Sequence, residues 1–298
     1  MKIYKIVHPD FKELVDVHVQ PELIQDGFEF TEGPVWHARD HCLYFSDIPA
    51  DTLYRFTEKS GVEVVYHPSG YSNGLTLDSH GDIIACEHRT RAITRYSSTG
   101  KHILASTYQG KKLNSPNDLV ISKDGTLYFT DPIYGLREGN GGPAEPELNF
   151  QGLYSYRNGW SEPYLESREL ERPNGVAFSS NPHILYAIDT VKQQVLIFDI
   201  DENGHLSGKR VWLELWGAGE SRPDGMKFDA QDNLFCTGPQ GIWVFRLNGE
   251  LLGKIKLPLK TANLAFGGED RKSLFITSSH SLYRLRLKTM GFTPLDLY

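Results

Sequence analysis

The chain has 298 residues, a formal net charge of −7 and 12% aromatic residues. That length bounds one large or two smaller domains with enough chain for a sizeable core. The charge argues against nucleic acid, whose backbone requires clustered Lys and Arg, and no stretch approaches the length of a membrane-spanning helix.

The chain begins "MKIYKIVHPD", without the apolar run of a signal peptide. Segment 10–16, "DFKELVD", is the one short stretch that reads as a helical turn. From there on the pattern is alternating apolar and polar residues, bounded by Gly, Asp and Asn, which marks paired strands. Six segments share one form, beginning at Glu32, Asn73, Asn117, Asn174, Asp224 and Asn263, at successive intervals of 41, 44, 57, 50 and 39 residues. Such a period belongs to propeller blades. In each copy a short run such as Leu75-Thr76-Leu77 meets a turn such as Ser79-His80-Gly81, then a second apolar run. A third run follows ("LYRF", "AITRY", "GLYSY", "VLIFDI", "IWVF", "LYRLRL"), and a fourth lies further out, as in "HILAST" and "KIKL". The expectation is all-β: a six-bladed β-propeller with four-stranded blades. Residues 1–298 are expected to form a single domain, with 1–20 as an N-terminal extension and the propeller over 22–290. Residues 22–25 are placed to donate the outer strand of the last blade and close the circle.

Antiparallel pairing then collects residues at one mouth of the channel. The first residue of each copy starts the innermost strand. The end of the second strand, 14 or 15 residues later, carries Asp47, Glu87, Asp131, Asp189, Gly238 and Ser278. Two rings of oxygen donors result, with no local excess of Lys or Arg. Asn, Asp and Gly before a strand also serve as turn formers, but Glu32 occupies the same slot and is a poor turn former. Glu32, Asn174 and Asp224 together therefore point to a metal site at that mouth. Oxygen-only ligation suits one divalent cation, Ca²⁺ before Mg²⁺ or Mn²⁺, with Zn²⁺ also accommodated. Asp47, Asp131 and Asp189 either face the site or tie neighbouring loops. The phrases "RPNG" (172–175) and "RPDG" (222–225) differ by one charge at the ring position. Cys42, Cys86 and Cys236 form no metal-ligand spacing and read as buried thiols in a reducing cytosol.

The motifs "FTEGPVW" (30–36), "YSNGLTLD" (71–78), "ACEH" (85–88), "NSPNDLV" (114–120), "FTDPIYG" (129–135), "RPNGVAFS" (172–179), "RPDGM" (222–226) and "LAFGGEDRKSLFIT" (264–277) resemble the senescence-marker-protein/gluconolactonase/luciferin-regenerating-enzyme family, of which regucalcin is the animal member. The resemblance favours the bacterial gluconolactonase branch. It implies a six-bladed propeller with one divalent cation on Glu32, Asn174 and Asp224, and a metal- or substrate-binding role for Asn117. Animal members carry Arg where this chain has Ser115, and Arg89 replaces the branch's usual Gly.

The implied activity is hydrolysis of a small-molecule sugar lactone, by water attack on a carbonyl polarised by the cation. Asp224 is the expected base, and no G-x-S-x-G nucleophile motif is present. His88, Asp131 and Tyr134 join Asn117 as expected substrate contacts. The Gly- and Pro-rich stretch 135–151 reads as a rim or lid beside the mouth. The alternatives are a non-enzymatic calcium- or metabolite-binding propeller and a hydrolase of another ester or lactone. The expected setting is the cytoplasm, without nucleic-acid or membrane partners.

Overall fold

In the computed structural model, which describes residues 2–219 and 221–292, six antiparallel sheets stand around a central channel. Blade 1 runs from Thr31–His37 through Cys42–Asp47 and Thr52–Thr57 to Gly61–Tyr66. Blades 2, 3 and 4 begin with inner strands Ser72–Leu77, Leu119–Ile121 and Pro173–Phe178 and repeat the order. Blade 5 begins with Met226–Phe228, and blade 6 with Thr261–Gly267. Each of the third runs read from the sequence lies in the third strand of its blade, as Gly152–Tyr156 does in blade 3.

The circle closes as the pattern predicts. Strand Glu22–Asp26 pairs with Ser281–Arg286 as the outer strand of blade 6. Arg284 secures the seam on the Glu22 carboxylate at 2.8 Å, and Trp36 of blade 1 stacks on Phe275 of blade 6, ring centroids 5.4 Å apart.

The N-terminal residues differ from a plain extension. Tyr4–Ile6 adds a fifth strand to blade 5, against Leu251–Lys256. The only α-helix among the described residues, Phe11–Leu14, falls inside segment 10–16 and buries Phe11 and Leu14 against blades 5 and 6. Phe11 fits because position 253 is Gly: a Cβ there would lie 2.6 Å from its ring. A three-residue strand is too short for its alternation to show in sequence.

Apolar packing lies between blades. Ile188, Val195, Met226, Phe228 and Cys236 belong to one cluster joining blades 4 and 5, and the flat faces interdigitate as in other stacked sheets. Cys42, Cys86 and Cys236 are all buried free thiols. Among the described residues no helix is long and apolar enough to cross a membrane.

Candidate active site

Asn73-Gly74 and Asn174-Gly175 sit inside inner strands and Asp224-Gly225 just before one, where all three act at contacts between blades. In blades 1, 2 and 4 the strand bulges at the ring residue, between Glu32 and Val35, Ser72 and Leu75, and Pro173 and Val176. At the bulge the backbone of the next blade comes close. Gly74 N–H donates to Asn117 O and Gly175 N–H to Asp224 O, both at 2.9 Å. A Cβ at position 33 would meet Asn73 O at 1.9 Å, and Gly33 also has φ +54°. Glycine is therefore required by the approach of neighbouring blades. At Asn73-Gly74 and Asn174-Gly175, which lie inside strands, this replaces the turn-forming role.

Five of the six ring side chains reach the mouth. A pocket of about 480 Å³ there is lined by Glu32, Asn73, Asn117, Asn174 and Asp224, with His88 and Tyr134 above them. Asn263, the sixth ring residue, lies beneath: its amide donates to Glu32 Oε2 at 3.1 Å. Gly33 N–H donates to the same oxygen at 2.8 Å. Burial, and then the nearby Asp224 charge, push the Glu32 carboxyl well above the usual range. Burial likewise raises Asp224, against the opposing pull of Lys260, whose ammonium lies 3.9 Å away. Asn174 Nδ2 donates to Thr190 Oγ1 at 3.0 Å, which leaves its amide oxygen outside that bond.

The second ring does other work. Asp47 accepts the N–H groups of Glu29 and Phe30, each at 2.9 Å. Asp189 accepts those of Glu171 and Arg172 at 2.8 and 3.1 Å. Asp131 takes Asn114 N–H at 2.7 Å, and burial pushes its carboxyl up to about 7. In each case the carboxylate holds the segment that enters the adjacent inner strand. Asp131 is fully buried and does not line the mouth, so the structure gives it this loop-holding contact in place of the expected contact with substrate. Glu87 is similarly occupied by Thr90, Tyr96 and Lys101.

His88 directly follows Glu87 and does reach the mouth. Its Nδ1–H donates to Asn140 O at 3.0 Å, which leaves Nε2 to accept from Asn73 Nδ2 at 3.2 Å. Burial lowers its pKa to about 4, so the ring is neutral at neutral pH. Tyr134 stands in a short 3₁₀ turn, Tyr134–Leu136, with the Arg172 guanidinium 5.0 Å from its ring centroid. The 135–151 stretch is anchored beside the mouth. Arg91 donates to Leu113 O and to Glu145 O, and Asn140 and Arg137 line the pocket.

Two features escaped the sequence reading. Asp118, one residue past Asn117, is a buried carboxylate whose charge bears on both Glu32 and Asp224. The rim is also basic, carrying Arg137, Arg222 and Lys260, where no excess of Lys or Arg was expected. The signal was present in the repeated phrase, since Arg172 and Arg222 stand two residues before Asn174 and Asp224.

Among the described residues no three His, Cys, Asp or Glu side chains gather as a metal cage. The donors are of another kind: a buried Glu32 and a half-buried Asp224, mutually repelling, with amides around them. That set fits a hard divalent cation, which would relieve the repulsion.

Residues 30–280 match the SMP-30/gluconolactonase/LRE-like region. The chain belongs to this family. It is 34% identical to a gluconolactonase of Zymomonas mobilis over 95% of this chain and 85% of that one. It is 27% identical to a 6-deoxy-6-sulfogluconolactonase of Pseudomonas putida over 83% of this chain and 82% of the relative. A solved gluconolactonase structure from Xanthomonas campestris superposes with a TM-score of 0.89 at 31% identity, covering 96% of this chain and 95% of that one.

Proposed function

We propose that this mouth opens a sugar lactone by hydrolysis, with one divalent cation held by Glu32, Asn174, Asp224 and Asn117. The observation that carries the reading is the pair Glu32, buried, and Asp224, half-buried, which line one 480 Å³ pocket with the Asn174 amide in a chain whose relatives include lactonases. Ca²⁺ is the first choice for such oxygen donors, before Mg²⁺, Mn²⁺ and Zn²⁺. When bound, the cation supplies Lewis acidity for the lactone carbonyl.

The chain's own residues do the rest. Asp224 takes a proton from the attacking water. Burial suits it to this task, because a base works best with a pKa near the working pH. As water adds, the bond from the carbonyl carbon to the ring oxygen breaks. The ring oxygen takes up a proton, which Asp224 returns, and an aldonic acid leaves. A sugar hydroxyl would reach neutral His88 by displacing Asn73 Nδ2 as the donor to Nε2, and Asn117 and Tyr134 flank the ring. The 135–151 segment narrows the mouth and carries the Asn140 carbonyl that holds the His88 tautomer.

The test is an assay on protein stripped by chelator and then restored with each cation, against a panel of lactones and simple esters. Hydrolysis of a sugar lactone that disappears on chelation and returns with metal supports the reading. Metal binding without turnover of any panel member favours a binding propeller, and turnover restricted to non-sugar esters favours another hydrolase.

A further inference from the structure

The rim of the mouth is charged opposite to the molecule as a whole. The chain carries a net charge of −7, yet the exposed side chains around this pocket include Arg137, Arg222 and Lys260, while its lining acids, Glu32 and Asp224, sit below them. Lys260 leans toward Asp224 at 3.9 Å, and its ammonium also lies 5.2 Å from the Phe30 ring centroid. Arg222 Nη1 donates to Gly219 O and Ser221 O at 3.0 and 3.2 Å, which sets its guanidinium at the edge. Arg137 rides on the anchored 135–151 segment, where Gly142 N–H donates to Arg137 O at 3.0 Å. The pocket is thus polarised from floor to rim, with the reacting groups deep and the cations outermost.

A neutral sugar lactone offers no charge for the outermost guanidinium groups to pair with. We propose that the preferred substrate is a lactone bearing an anionic group (phosphate, sulfonate or carboxylate) on the carbon furthest from the reacting carbonyl, and that Arg137 receives that group at the rim. This rests on the lactonase reading of the same site. Guanidinium groups match the geometry of such oxyanions with paired N–H bonds. A basic rim on an acidic protein also focuses the field at the mouth and draws anions to it. Arg137 acts on specificity through the distal group, whereas Lys260, beside Asp224, affects every substrate.

The experiment compares glucono-δ-lactone with its 6-phospho counterpart and with a 6-carboxylate lactone, using the full chain with added Ca²⁺. We expect kcat/KM for both charged lactones to exceed the neutral one by roughly ten-fold or more, the scale of one good charge-assisted contact. In Arg137→Met the charged substrates should lose about ten-fold more than the neutral one, with Arg137→Lys intermediate and the advantage shrinking as salt rises. Equal kcat/KM for neutral and charged lactones, or equal losses in the variant, overturn the proposal. Acceleration of the neutral lactone by added inorganic phosphate would make the rim a site for a free anion and also overturn it. Calorimetric binding of 6-phosphogluconate against gluconate decides the rim separately from catalysis. A preference there that Arg137→Met removes upholds the rim assignment even where no lactone is turned over, an outcome that fails the lactonase reading alone.

Discussion

The first ring, of Glu, Asp and Asn, and the second ring, with carboxylates in four of its six positions, draw on similar chemistry and do opposite things. Asp47 and Asp189 each satisfy two backbone N–H groups and are sealed from solvent. Glu32 and Asp224 face a pocket and repel each other. What separates them is position: first-ring residues line the mouth, whereas the second strand ends against the loop that leads into the inner strand. A carboxylate beside free amide donors becomes a loop anchor, and one beside another carboxylate becomes a place for a cation.

The largest expected effect that tests this division is at Asp224. Asp224→Asn keeps the shape and should fold normally, yet lose turnover by roughly 10²- to 10⁴-fold at saturating cation, the range for a general base. Near-normal turnover there removes Asp224 as the base. His88 lies next to a second-ring residue but touches the first ring, so it tests where the boundary falls. Burial holds its folded pKa at about 4, below the 6.5 of a free imidazole. The unfolded chain therefore binds the proton more readily. The contribution is complete above pH 6.5, declines as pH falls toward 4 and is flat below that, amounting to about 3 kcal/mol. Urea unfolding from pH 7 to pH 4 should show that decline, and His88→Gln should flatten it. An unchanged slope in the variant would place the ring in a wetter setting than its two hydrogen bonds indicate.

Next comes the anchor itself. Asp47→Asn leaves one acceptor oxygen for two N–H groups, so stability should fall by about 2 kcal/mol, the scale of a charge-assisted bond lost in a buried place. Turnover per folded molecule should stay near wild type. A variant of full stability and low activity would move Asp47 into the site. The smallest effect is at Glu32. Glu32→Gln should keep its bonds to Gly33 and Asn263 and weaken the cation by roughly ten-fold, the lower range for a disturbed metal shell. Unchanged cation affinity in a titration would take Glu32 out of the ligand set.

Much of this was legible in the sequence because it repeats. Six copies with hairpins of equal length force six inner strands to start at one level, and so place Glu32, Asn73, Asn117, Asn174 and Asp224 around one mouth. The closing strand at Glu22–Asp26 followed from the need to protect an edge. The third strands and the short helix at Phe11–Leu14 followed from their local pattern. Local pattern has no information about what a side chain meets across a blade boundary. Asp131 and Asp224 look alike along the chain, and only the arrival of Asn114 N–H at one and Lys260 at the other tells them apart. The same holds for Gly33, whose small size is demanded by a carbonyl 40 residues away in the next blade. It holds too for Arg137 and Lys260, which are far apart in sequence and share a rim because the propeller closes on itself. Periodicity determined the ring of donors, since a repeat constrains every copy equally. Tertiary packing decided which of those donors are held by backbone amides and which stay available for chemistry, because that depends on neighbours contributed by other blades.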